Sequence, residues 1–167
     1  MSDIVEILDV IDENNNVLYQ LPKSDVHAKN LLHREIGVLV VDENNRVLLQ
    51  QRSFKKKSFP GAWTVTAVGH VPAGMTPEQA AHKELQEELG FDTVLSFIEL
   101  RKYISENHTS LGFLFLGKIN SDTKLTIQEE EVEQAKFVSE EELEQMLLDG
   151  SIDYHTKETI ERFHKSH

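Results

Sequence analysis

The stretch HKELQEELG, His82 to Gly90, sets three glutamates at positions 84, 87 and 88 inside what reads as one short helix. At 100° per residue, Glu84, Glu87 and Glu88 fall within about 100° of arc on one helix face. Like charges at i,i+3 and i,i+4, near the end where the helix dipole is already negative, cost about one kcal/mol in total if exposed. The chain carries 29 acidic against 17 basic residues, a net charge of −12, so a solvated acidic face accounts for such a cluster taken alone. The functional reading is convergence on Mg²⁺ or Mn²⁺, hard cations that take oxygen ligands and bridge protein to phosphate. Carboxylates so placed suppress one another's ionisation unless a cation lies between them. The chain has no cysteine, so any metal must be held by oxygen or imidazole, and a cysteine nucleophile is excluded.

The helix that must carry these carboxylates has clear ends. Thr76 stands at the N-cap, Pro77 at the first helical position, Gln79 as the capping-box partner, and Gly90 as the stop. Ala81, Leu85 and Leu89 recur at four-residue spacing and predict the buried stripe. Upstream, IVEILDVID, ENNN and VLYQL predict an opening hairpin within an N-terminal extension of about residues 1–25. REIGVLVVD and RVLLQQR predict a second hairpin whose first strand is apolar enough to be central. KSDVHAKNLLHR between them reads as irregular. AWTVTAVGHV alternates as one strand and ends at Gly69, where the backbone is expected to leave standard strand geometry. Beyond the helix, TVLSFIELRKYI and TSLGFLFLGKI predict long strands, AKFVS a short one, and Ser139 with Glu142 caps a helix EEELEQML. TKETIERFHK predicts a further helix, and NSDTKLTIQEEE an exposed loop.

At 167 residues, 39% of them hydrophobic, the chain suits a single domain spanning 1–167. No basic face large enough for a nucleic-acid backbone is visible. Met1 to Asp12 carries acids where a secretory leader would be basic, and no apolar run approaches membrane length. The expected setting is the cytoplasm, away from membranes. Either the opening hairpin and the C-terminal helix cover the core or they form a homodimer interface, and no heptad or apolar stripe chooses between these.

From Gly69 to Phe91, GHVPAGMTPEQAAHKELQEELGF resembles the Nudix box, G-x5-E-x7-R-E-U-x-E-E-x-G-U, where U is a bulky apolar residue. Gly69, Glu84, Leu85, Glu87, Glu88, Gly90 and Phe91 match; Met75 replaces the first glutamate and Lys83 the arginine. The flanking segments extend the likeness over roughly residues 30–145. The resemblance implies an α/β/α sandwich, α+β in class, with helices on both faces of a mixed sheet. It further implies a metal-dependent hydrolase of diphosphate linkages in nucleoside diphosphate derivatives or related small molecules. Glu84, Glu87 and Glu88 match metal-ligand positions, the Gly69 carbonyl a further ligand in some members, and Glu131 the acidic residue some members supply from outside the box. Glu129, Glu130 and Glu133 crowd that last position, and an acidic solvated loop reads equally well. Glu87 and Glu131 are the two choices for a general base. Lys83 would inherit the arginine's orienting role without its bidentate fork. Met75 reads as a gap filler.

LLHRE, KKKSFPGAW and GHV resemble the branch related to type I isopentenyl-diphosphate isomerase. Val68 stands where those isomerases need a catalytic cysteine, so isomerase chemistry is expected to be absent. His27, His33 and His70 lie close to the positions of three metal-binding histidines there, which implies a second metal site, although the first interval differs. Arg52 and Lys55, with the following lysines, would receive substrate phosphates, unless the loop is merely solvated. Trp63 reads as core rather than as the wall of a base pocket. The alternative to hydrolysis is a nucleotide- or diphosphate-binding module that has lost turnover with its first glutamate and arginine.

Overall fold

The computed structural model describes residues 4–166, so the first residues of the N-terminal extension lie outside the described residues. The chain runs β1 (Ile7–Ile11), β2 (Val17–Pro22), α1 (Lys23–Ala28), β3 (His33–Val41), β4 (Val47–Arg52), β5 (Trp63–Thr64) and β6 (Ala67–His70). It continues with α2 (Pro77–Glu84) and a π-helical turn (Leu85–Leu89), then β7 (Leu95–Ile104), β8 (Thr109–Lys118), β9 (Val132–Val138), α3 (Glu140–Leu148) and α4 (Tyr154–Ser166). Both predicted hairpins form on the same local chemistry. Asp12 and Asp42 accept from turn N–H groups of Asn14, Asn16, Asn44 and Arg46, while Asn15 and Asn45 take left-handed φ of 64° and 60°. The segment read as irregular holds the short helix α1. Pro22 starts it, and Asn30 closes it at φ 49°.

The main sheet has the order β5-β4-β3-β8-β7, with β6 also on β3 and β9 on β4. The β3–β8 pair is parallel and the remaining pairs are antiparallel, so the sheet is mixed. β3 and β4 meet only at Val41 and Val47 and then splay. Residues 63–70 run through the opening, with β5 lining β4 and β6 lining β3. The expected single strand is therefore two. At the crossing, Thr66 accepts from Val40 N–H at 2.8 Å and donates to the Leu48 carbonyl at 2.6 Å, so its hydroxyl replaces the missing ladder bonds. Ile36, Val38 and Ala67 pack with Ala80, Ala81, Leu85 and Leu89 on the α2 face. Leu39, Val41, Val65 and Trp63 pack with Leu143, Met146, Ile160 and Phe163 of α3 and α4 on the other. Helices thus cover both faces, and Trp63 is core. No helix among the described residues is long and apolar enough to cross a membrane.

Candidate active site

The helix carrying the glutamates starts as its sequence predicts: Gln79 N–H donates to Thr76 Oγ1 at 3.1 Å and Thr76 N–H to Gln79 Oε1 at 2.9 Å. Its second half differs. From Leu85 the helix widens by one residue per turn and ends at Gly90, whose φ of 70° is left-handed. Thr126 and Gln128 donate N–H bonds to the carbonyls of Leu89 and Glu88, at 2.8 and 3.0 Å. The segment read as an exposed loop is therefore tied across the helix end, with Leu125 and Ile127 packed on the core. A Cβ at Gly90 would stand 2.6 Å from that of Thr126, which is why glycine occupies the crossing.

The three glutamates divide. Glu88 is only 8% exposed, while the Glu87 side chain is 57% exposed and pairs with Lys83 at 3.1 Å. Glu84 backs onto Gly69: a Cβ there would lie 2.8 Å from the Glu84 carboxyl carbon. Gly69 keeps its place opposite Ile36 in the ladder, so the expected departure from strand geometry does not occur; glycine is needed for space. Burial is the largest influence on both inner carboxyls and pushes both upward. They face each other closely enough to share a proton, and the charges of Glu84 and Glu131 raise Glu88 further. Gln50 opposes this by donating from Nε2 to Glu88 Oε2 at 2.7 Å. The same nitrogen donates to the Thr66 carbonyl at 2.9 Å. Gln50 escaped the sequence reading, although a polar residue two places after buried Leu48 on an apolar strand is a signal that something must satisfy it. Glu6, at the mouth of β1, also adds negative charge near Glu84.

Around this centre, Lys56 Nζ holds Glu131 at 2.6 Å and Lys55 holds Glu130 at 2.9 Å. Arg52 is committed to its own loop, donating to the Ser58 carbonyl from Nη2 at 2.9 Å and from Nε at 3.1 Å. Met75 packs against the core beside α2.

On the other face of β6, His27, His33 and His70 come together, with one ring nitrogen from each lying within 4.8 Å of the others. Side chains alternate along a strand, so Gly69 faces Glu84 while its neighbour His70 faces the histidines. Two residues absent from the sequence reading join them. Glu35 lies opposite His70 in the β3–β6 ladder, with Oε1 3.4 Å from His70 Nε2 and 3.6 Å from His33 Nε2. Its Oε2 stands 3.1 Å from His108 Nε2. Burial alone would raise the Glu35 carboxyl; the neighbouring imidazoles, His108 at Oε2 foremost, outweigh it and hold the group below the carboxylate range. Burial also drives His70 down to about 3.

The NUDIX domain family matches residues 31–162. This chain belongs to that family. It is 32% identical over 139 residues to an isopentenyl-diphosphate Delta-isomerase 2 of Photorhabdus laumondii, covering 80% of this chain and 77% of the relative. It is also 32% identical over 150 residues to an uncharacterised Nudix hydrolase of Listeria monocytogenes, covering 87% of each. The crystal structure of DR0079 from Deinococcus radiodurans shares the fold, with a TM-score of 0.79 at 20% identity, over 94% of this chain and 98% of that one. The NUDIX chain thus sits where hydrolase-named and isomerase-named relatives meet. Val68 packs against the α3 and α4 face.

Proposed function

We propose that this NUDIX protein hydrolyses the diphosphate linkage of a small organic diphosphate, a nucleoside diphosphate derivative or a related compound, with Mg²⁺ or Mn²⁺ as cofactor. The observation that carries the reading is the Glu84–Glu88 pair, a half-buried and a buried carboxyl aimed at one another where burial disfavours the charge of each. A divalent cation resolves that conflict, and carboxylates with the Gly69 carbonyl alongside are the hard oxygen donors it takes. When bound, the cation would neutralise diphosphate oxygens and make water nucleophilic near neutral pH.

The chain's own residues divide the remaining work. Gln50 fixes the Glu88 carboxyl from the sheet side. Lys83 steadies Glu87 from one turn away, as a point charge without an arginine's fork. Glu87 and Glu131, with side chains 57% and 41% exposed, are open enough to take a proton from water, and one of them is the general base. Lys55 exchanges Glu130 for substrate phosphate, an easy swap because both partners are exposed and water screens their attraction. Arg52, bonded to Ser58, shapes the loop that presents it. His27, His33 and His70 form a second cation site, borrowed from the isomerase-like scaffold without its chemistry, since Val68 offers no proton. A cytoplasmic setting suits a chain without cysteine.

One observation favours a second reading, a diphosphate-binding module. Met75 packs into the core where the family pattern has a carboxylate. Release of phosphate or monophosphate from a panel of nucleoside diphosphate derivatives with Mg²⁺ or Mn²⁺, in wild type, Glu87→Gln and Glu88→Gln, decides. Turnover abolished by either variant supports hydrolysis; ligand binding with no turnover of any compound in the wild type supports the module.

A further inference from the structure

We propose that Glu35 is the anionic ligand of the histidine cluster and His108 the residue that orients it, making a three-imidazole, one-carboxylate centre for a transition-metal dication. This rests on the second cation site read above and adds its fourth ligand, its outer support and its preference over Mg²⁺.

The backbone assembles the set. His33 and Glu35 are two apart on β3 and share a face; His70 lies opposite Glu35 in the antiparallel ladder, and Ser110 opposite His33 in the parallel one. His27 arrives from α1. His108 is fixed at the start of β8 by the turn in which Ser105 N–H donates to the His108 carbonyl and His108 N–H to Ser105 Oγ.

Three of the donor pairs stand near the separations of ligands that share one ion. At metal–ligand distances of about 2.0–2.2 Å, neighbouring donors stand about 3.0 Å apart at right angles and about 3.4 Å apart in a tetrahedron. Here His27 Nε2 and His70 Nε2 are 3.0 Å apart, His70 Nε2 and Glu35 Oε1 3.4 Å, and His33 Nε2 and Glu35 Oε1 3.6 Å.

The protons point the same way. His33 Nδ1 lies 2.8 Å from the Leu31 carbonyl, which can only accept, so Nδ1 carries the hydrogen and Nε2 of the neutral ring is a bare lone pair. Among the described residues that Nε2 has no hydrogen-bond partner, and His33 is 1% exposed. Its nearest acidic neighbour is a carboxylate oxygen, another acceptor. A buried lone pair facing a part-exposed carboxylate oxygen, acceptor against acceptor, is satisfied by a cation between them. His108 meanwhile occupies Glu35 Oε2, leaving Oε1 to the cluster, as outer hydrogen bonds commonly do for ligating carboxylates. Imidazole nitrogen in the majority selects Zn²⁺ or Co²⁺ over Mg²⁺.

The full-length protein, stripped with chelator and titrated with Co²⁺ without substrate, provides the test. Imidazole-rich Co²⁺ of low coordination absorbs strongly in the visible, whereas an all-oxygen six-coordinate site at the box is pale. Wild type should show the strong band, and His27→Ala should lose it. Glu35→Gln should weaken Co²⁺ binding about a hundredfold and move the band. His108→Ala should weaken it about tenfold with the band in place, the scale for an outer-shell partner. Mg²⁺ uptake by calorimetry should be unchanged in all three. Should Glu35→Gln not fold, Glu35→Asp, which keeps the charge but shortens the reach, should still shift the band. If Glu35→Gln, or Glu35→Asp in its place, binds Co²⁺ with the wild-type band and affinity, Glu35 is no ligand, while the three-histidine site stands. If wild type lacks the band, or His27→Ala retains it, the second site itself is wrong.

Discussion

The two faces of β6 carry clusters built by different means. On the α2 side, acidic groups come from consecutive turns of one helix, and their difficulty is surplus negative charge in a buried place. On the other side, imidazoles from a helix and two strands meet a single carboxylate, and the difficulty is lone pairs without protons. Both are costly without a cation, yet they call for different ones: a hard ion where only oxygen is offered, a softer one where nitrogen dominates. Perturbing one face should leave the other measurable.

The largest expected separation comes from Glu88→Gln. Diphosphate hydrolysis should fall a hundredfold or more, because even outer-shell partners of a metal are worth about 10–100-fold. The metal-free protein should respond in the opposite sense. A carboxyl raised from its ordinary 4.5 to about 8 keeps a proton in the fold that the unfolded chain has released. Stability of the metal-free protein should therefore decline as pH rises through that window, with no such contribution below it. Glu88→Gln should flatten the decline and melt several degrees higher at pH 8, equivalent to about 1–3 kcal/mol. Thermal melts in chelator across pH, repeated with Mg²⁺, would show this; a wild-type slope of the other sign would refute the buried-carboxyl account.

Gly69→Ala comes next. Its methyl group meets the Glu84 carboxyl at 2.8 Å, so turnover should drop about tenfold to a hundredfold, while the Co²⁺ band of the histidine face persists. Gln50→Leu removes the 2.7 Å donor to Glu88 and should raise the Mg²⁺ dissociation constant about tenfold by calorimetry. The smallest effect belongs to Lys83→Arg. The pair with Glu87 is largely solvent-exposed, so restoring the fork should raise kcat no more than about threefold, and unchanged kinetics would show that Glu87 needs no orienting partner.

What was legible in the sequence was local. The capping box at Thr76, the stop at Gly90, the Asn turns and the Ala81, Leu85 and Leu89 stripe depend on neighbours within a few positions, and each stands as read. Two failures are local, the short helix α1 and the π-helical turn, and the others involve partners distant in sequence. Residues 63–70 alternate like one strand, yet they change partners halfway because β3 and β4 splay, which no alternation records. The helix turns π-helical from Leu85, and nothing in HKELQEELG encodes it. Gln50, Glu35 and His108 became visible as site residues only through ladder register and the close approach of side chains across elements.

The consecutive placement of Gly69 and His70 has a further consequence for how such a molecule can change over generations. A one-residue slip of β6 turns every side chain to the opposite face. It would drive an imidazole against Glu84 and withdraw one from its companions, so a single deletion in the preceding segment would disable both centres in one event. Insertions and deletions between Ala62 and Ala67 should therefore be far rarer among working relatives than point substitutions there, linking the fates of two chemistries that share no ligand.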